Sequence, residues 1–365
     1  GQFKWGSNFL MGTPDQVVDP NIRGSVASQK EVGLDLEFLK GKYGLSFTYW
    51  DGSEIGFPYA LTVNGASGFS SILTNIGKIT KQGIEIKLNA EILNLKNLKW
   101  NVTATYADLI KNDVVELSKE YGVTQTSSQG NVWGTTMPYL LHQEGKRWGQ
   151  IFGNGAKRIN GVPVLNSDGT FVNDPNVNFG SVVPRYTGGL QNSFSVFKNF
   201  IVNANIDYQF GGKFVSLSNM WGSYSGLTAQ TATVNDKGNP IRDAVADGGG
   251  VHVSGVNAEG QPVDYYVEAQ DYFHGLYNNK IFDNYVYDLT FIKLRELSVG
   301  YALPVNKLGL SKYANNITLS VVSRNPFLIY AKTKDFDPSE ISATVGETAQ
   351  LPGTRSLGVN LRIGF

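Results

Sequence analysis

The sequence predicts an all-β chain organised as one antiparallel sheet, and three observations carry that reading. Short segments alternate apolar and polar residues with a period of two, which gives a strand two unlike faces. Glycine (42 residues), tyrosine (18) and phenylalanine (20) are abundant while charged residues make up only 17%, a balance that suits turn-rich β architecture. The connections between alternating segments are short and long by turns. Such a sheet can show its polar face to water. It can also form a membrane barrel, with the apolar face to lipid and the polar face to a wet lumen.

Residues 1–30 are poorly periodic, and Gly1-Gln2-Phe3 has neither the basic start nor the apolar stretch of a leader, so the N-terminus reads as a boundary. From Glu31 to Leu39, Val32, Leu34, Leu36 and Phe38 alternate with Glu31, Gly33, Asp35 and Glu37. After Lys40-Gly41-Lys42 the pattern resumes at Leu45, Phe47 and Tyr49, and 53–79 reads as a long loop. Ile84, Ile86, Leu88, Ala90 and Ile92 alternate with Glu85, Lys87, Asn89 and Glu91, and a short link at 93–98 leads to Trp100, Val102, Ala104 and Tyr106. A long segment at 113–185 precedes strands at 186–197 and 200–211, joined at Lys198-Asn199. Another at 212–285 precedes a strand at 287–303, then a turn at 304–314 and Ile317, Leu319 and Val321. A final long segment at 324–353 leads to the closing strand, where Leu357, Val359, Leu361, Ile363 and Phe365 oppose Ser356, Gly358, Asn360, Arg362 and Gly364.

This makes about nine strands whose short turns all fall on one side. Long structureless connections are unusual in a compact soluble domain. They are expected of an outer-membrane barrel, with tight periplasmic turns and long external loops. Charged residues such as Glu31, Asp35, Glu85, Lys87 and Asp207 on the second face suit a hydrated lumen better than a dry sandwich core. Trp50, Tyr49, Trp100, Phe200, Tyr301 and Phe365 read as an interfacial girdle. A large sheet with one solvated face remains the competing architecture on patterning alone.

Composition excludes several functions. With 31 basic and 31 acidic residues and no block of like charge, nothing argues for nucleic acid. No cysteine is present, so thiolate metal sites and disulfides are excluded. The glycines at 153–161 lack the third position of a dinucleotide fingerprint, where Arg158 stands. His142, His252 and His274 are too scattered for a metal site and read as surface residues. Asp335, Asp337 and Glu340 could offer oxygen ligands to calcium, but the spacing is not that of an EF-hand and Asp337-Pro338 suits a turn. The sequons at Asn101 and Asn316 lie inside strands. No serine stands in a nucleophile elbow, no acid/base pair emerges, and no metal or cofactor is expected.

Several motifs follow one another in the order of a known family. Lys30-Glu31-Val32-Gly33-Leu34-Asp35, Asn75-Ile76-Gly77 with Lys81-Gln82-Gly83-Ile84-Glu85, and Pro184-Arg185-Tyr186-Thr187-Gly188-Gly189-Leu190-Gln191-Asn192 are three. Phe291-Ile292-Lys293-Leu294-Arg295-Glu296-Leu297-Ser298-Val299-Gly300-Tyr301, Ser323-Arg324-Asn325-Pro326-Phe327 and Asp337-Pro338-Ser339-Glu340 are three more. Together they resemble the C-terminal part of SusC/RagA-type TonB-linked outer-membrane transporters, with Pro326 and the extra Ser339 departing from the usual pattern.

The resemblance implies a roughly 22-stranded plugged barrel. Residues 1–365 would be the C-terminal portion of one such domain, with plug, TonB box and early strands outside this sequence. It further implies a nutrient importer for glycans or peptides, working with a SusD-like surface lipoprotein and with TonB/ExbB/ExbD through the missing N-terminal region. Outer-membrane lipid would surround it. The loop aromatics Trp133, Trp148, Trp221, Tyr224 and Tyr272 are candidate ligand contacts, because aromatic faces stack on sugars and apolar side chains. Tyr265, Tyr266 and Phe273 lie in the same connections, and ordinary loop packing is the competing explanation. Phe365 would be the terminal aromatic read during barrel assembly. A structural component of an outer-membrane assembly and a soluble β-rich binding protein are the alternative functions.

Overall fold

The computed structural model describes residues 2–11, 14–127, 138–341, 346–349 and 351–365. Nine antiparallel strands form a continuous wall: β1 (Val26–Phe38), β2 (Tyr43–Thr62), β3 (Ser71–Asn94), β4 (Leu98–Glu116), β5 (Tyr186–Val196), β6 (Phe200–Phe210), β7 (Phe291–Leu303), β8 (Asn316–Ala331) and β9 (Ser356–Gly364). Each pairs with its neighbour in sequence, from β1 at one edge to β9 at the other, and Gln16–Val18 adds a short parallel pairing to β3.

The register keeps the two faces separate across the whole wall. Leu36, Leu45, Leu88, Ala104, Leu190, Ile206, Leu294 and Phe327 are successive cross-strand partners. The adjacent row reads Asp35, Ser46, Lys87, Thr105, Gly189, Asp207 and Lys293. A slip of one residue in any strand would swap the rows, so patterning specifies the register. Along most of the inner strands the apolar row is not covered by protein: Leu88 is 48% exposed, Val299 45% and Val321 48%. An apolar band of this extent is untenable in water and is what a lipid-facing wall requires. Among the described residues no helix is long and apolar enough to cross a membrane.

The alternation of connections holds, but the long ones are folded. The stretch at 53–79 is not a loop. β2 and β3 continue as a paired ladder to Thr62 and Ser71, leaving a tip that contains one short 3-10 turn. At 20 and 24 residues these strands far exceed the roughly 10 that span a bilayer. Beyond the lipid a strand no longer needs one apolar face, so the period of two fades and the pattern reads as loop. The 113–185 region holds a four-stranded sheet of Gln125–Ser127, Tyr139–Gln143, Gln150–Ala156 and Asn173–Ser181. The 212–285 region holds two helices, α1 (Leu217–Tyr224) and α2 (Ala269–Asn278), and a hairpin of Val251–Val256 with Pro262–Val267. The wall strand at 287–303 starts only at Phe291, since Val286–Asp288 pairs instead with Lys213–Val215.

The compact cores lie in these loops and the upper strands. One gathers Leu217, Met220, Phe273, Leu276, Phe282 and Tyr285; another joins Leu61, Ile76, Val114 and Leu117. Tyr49 sits on the apolar row between Val32 and Ile84, whereas Trp50 points to the other face and is not a girdle residue. Trp50 shares the polar face with its partners Glu31 and Gly83. Phe200 and Tyr301 do pair beside the short turns, with ring centroids 4.8 Å apart.

Candidate ligand-contact site

The loop aromatics are brought together by α1 and α2. Ser216 caps α1, its Oγ accepting from the Asn219 amide at 3.1 Å. The buried Glu347 carboxylate sits at the same helix start. It accepts from Ser216 Oγ and Ser218 Oγ, each at 2.6 Å, and from the Ser218 amide at 3.2 Å. An anion there is favoured by the helix dipole. Leu217 and Met220 face the core, which turns Trp221 outward, 45% exposed.

On α2, Phe273 and Leu276 point into the same core. One position along, His274 and Tyr277 share another face at i, i+3 spacing and meet α1. The Tyr224 ring stacks on His274 with centroids 4.1 Å apart, and Trp221 lies 4.8 Å from Tyr277. His274 Nε2 is 3.1 Å from the Tyr224 carbonyl oxygen. Beside this platform opens a cleft of about 550 Å³ lined by Tyr224, Arg242, Glu268, Asp271, Phe273 and His274. Arg242 is held in place by donating to the Thr231 and Gly226 carbonyls at 2.7 and 2.6 Å. Exposed ring faces beside fixed polar groups can stack on a planar or apolar ligand surface and fix its orientation.

The other candidate aromatics separate. Tyr272 faces away from the platform and packs on Phe171 and Phe273, 6.3 and 5.1 Å between centroids. Trp148 lies in the four-stranded sheet region, edge-on to Phe57 and stacked face to face on His142 at 3.4 Å. Trp133 lies outside the described residues. Tyr265 lies against the hairpin core and Tyr266 stacks on His252. Phe365 stands at the end of β9, 90% exposed. Sequence reasoning missed His274, Tyr277 and Glu347. The signal for the first two was the helical spacing within 269–278, hidden in a stretch rich in glycine and asparagine.

The histidines divide too. His252 is half-buried, with Nε2 2.6 Å from Asp264 Oδ1. His142, expected at the surface, is buried. Its Nδ1 accepts from the Gly149 amide at 3.2 Å, and burial pushes its pKa down to about 4.

A second polar cluster sits on the inner face of the wall. Lys293, only 2% exposed, donates to Asp337 Oδ2 (2.7 Å), Ser339 Oγ (2.9 Å) and Glu340 Oε1 (3.0 Å). A bulge between Leu294 and Glu296 frees Arg295, which reaches Asp207 at 2.7 Å and Glu340 at 2.8 Å. Burial alone would raise the Asp337 carboxyl, but its bonds to Lys293 and Ser339 hold it below the usual range. Two of the calcium candidates are thus committed to Lys293 and Arg295. Among the described residues no group of three histidines or carboxylates could hold a metal.

A lipid-facing band across nine strands, tight turns at one end and folded loops at the other define a segment of an outer-membrane β-barrel. No family model matches the chain. TonB-dependent receptor P3 of Formosa agariphila is 24% identical over 310 residues, covering 79% of this chain and 28% of that protein. TonB-dependent receptor P26 of the same organism is 23% identical over 394 residues, covering 98% and 36%. Among solved structures, the RagAB peptide importer in its closed-closed state superposes with a TM-score of 0.70 at 15% identity, over 100% of this chain and 38% of that one. Its open-open state gives 0.69 at 15% identity, over 99% and 37%. These likenesses bear out the resemblance read from the motifs: the chain has the barrel fold of the SusC/RagA type of TonB-linked transporter. It spans about a third of the length of the curated relatives it matches.

Proposed function

We propose that this chain is the C-terminal wall and loop portion of an outer-membrane TonB-dependent importer that takes up glycans or peptides. Its wall and loops guide ligand to the lumen and carry out no bond chemistry. A plug outside this sequence couples to TonB/ExbB/ExbD, and a SusD-like lipoprotein covers the loop end. The observation that carries the reading is the platform of Trp221, Tyr224, His274 and Tyr277, held half-exposed beside a cleft on a folded scaffold at the loop end. Support for import rather than catalysis comes from the transporter likeness and from the carboxylates of the inner cluster, which are spent on Lys293 and Arg295.

The test is uptake of labelled oligosaccharides and peptides by cells carrying the intact gene or its Trp221→Ala/Tyr224→Ala variant. Loss of two stacking rings should weaken uptake about tenfold or more at limiting ligand, with barrel assembly unchanged. Uptake identical to that of the parent for every ligand the cells import would remove the platform from the pathway.

A further inference from the structure

The short-turn end of the wall carries a pattern that import does not use. The four turns there are residues 39–42, 95–97, 197–199 and 304–315. They hold Lys40, Lys42, Lys96, Lys198, Lys307 and Lys312 and no aspartate or glutamate. In a chain with no net charge, the remainder therefore carries six more acids than bases. Lys42 pairs with Glu91 at 3.1 Å; the other five make no ion pair among the described residues.

Each turn also presents a large apolar side chain next to a lysine. Leu39, Leu95, Phe197, Leu308 and Tyr313 are 53–74% exposed. Turn formation does not explain the choice. Leu39-Lys40 and Phe197-Lys198 all have positive φ (51°, 61°, 49° and 69°), where asparagine and glycine are the unstrained residues. Side chains that are costly for the turn are kept in two separate hairpins.

We propose that this end of the barrel binds the headgroups of anionic phospholipids in the periplasmic leaflet. The apolar residue of each turn enters the acyl boundary, and the neighbouring ammonium rises to a lipid phosphodiester. Charge complementarity identifies the occupant: five lysines with no ion-pair partner among the described residues face the one leaflet surface rich in phosphate at that end. The inference needs only the membrane placement of the wall, so it stands or falls separately from the import reading.

The test uses the full-length transporter in nonionic detergent, with phosphatidylglycerol or phosphatidylcholine of equal chain length added. Native mass spectrometry then counts the retained lipids. Phosphatidylglycerol should be retained about tenfold more tightly at low salt, and the preference should collapse at about 0.5 M salt. It should also collapse in the Lys40→Gln/Lys96→Gln/Lys198→Gln/Lys307→Gln/Lys312→Gln variant and survive with arginine at the same five positions. Heat-dependent gel mobility reports whether each variant is folded; should the glutamine variant fail to fold, the salt and arginine arms decide. Equal retention of the two lipids would overturn the proposal, as would a preference unchanged in the folded glutamine variant. Displacement of bound lipid by inorganic phosphate, at an ionic strength where sodium chloride leaves the lipid in place, would show a free-anion site instead, and would overturn it as well.

Discussion

Replacing Lys293 with methionine probes the clearest link between wall and loop. The ammonium is almost fully buried and has three partners in the turn that contains Asp337, Ser339 and Glu340. Methionine keeps the stem volume but leaves two carboxylates facing a low-dielectric wall without their cation. Breaking a buried pair by removing one partner costs about 3–5 kcal/mol. Asp337 and Glu340 are about one-third exposed and Arg295 still holds Glu340, so the lower end applies. A loss of about 3 kcal/mol corresponds to roughly a hundredfold rise in local opening. Amide hydrogen exchange of residues 332–341 in the full-length protein reads that opening. Adding Asp337→Asn should recover part of the loss, since the orphaned charge is removed with its partner. If exchange in 332–341 rises less than about threefold in the Lys293→Met protein, the turn is held by something other than this network.

Two further perturbations follow from single contacts. His142 has a folded pKa of about 4 against an ordinary 6.5, so the unfolded segment takes up a proton first as pH falls. The stability its neutral form supports is intact above pH 6.5, is lost progressively toward pH 4, and amounts to about 3 kcal/mol in total. Protection factors across 139–156, with the intrinsic slowing of amide exchange at lower pH divided out, should therefore fall over that window, and His142→Phe, which keeps a ring against Trp148, should flatten the dependence. Gly77 has φ +86°, and a Cβ there would lie 2.3 Å from Phe57 Cζ. Gly77→Ala should cost about 1–3 kcal/mol and lower the temperature at which the barrel loses its heat-resistant gel mobility; an unchanged temperature would show that the ring moves freely.

The wall was legible because lipid and lumen impose a strict period of two, and the apolar faces read from the sequence keep their side in the register, apart from Ile92, which falls in the bulge between Glu91 and Leu93. Several motifs were legible for a different reason, since they encode a contact. Asn75 clasps the Arg23 backbone, accepting at 2.8 Å and donating at 2.7 Å. Gly188 leaves room for the Tyr208 ring, whose hydroxyl donates to the Thr105 carbonyl at 2.9 Å. The motif that runs from Phe291 to Tyr301 and the Asp337 turn prove to be two halves of one ionic cluster, through Lys293 and Arg295. The upper strands and loops were not legible. Above the bilayer neither face has a fixed solvent, so β2 and β3 lose their alternation, and α1 and α2 are too short to declare a helical period. The candidate site suffered most: Trp221 and Tyr224 were found by residue type alone, whereas Tyr272 and Trp148 are packing residues of the same type.

The placement of the wall is tested most directly from outside the cell. Because residues 1–365 contain no cysteine, Leu227→Cys on the loop after α1 and Lys198→Cys in the turn between β5 and β6 each add one reactive thiol to this part of the protein. Both side chains are exposed. With a membrane-impermeant maleimide, intact cells should label Leu227→Cys above the parent level, and Lys198→Cys only after the outer membrane is permeabilised. Labelling of Lys198→Cys on intact cells, or of neither variant before permeabilisation, would contradict a barrel wall with its folded loops outside and its tight turns in the periplasm.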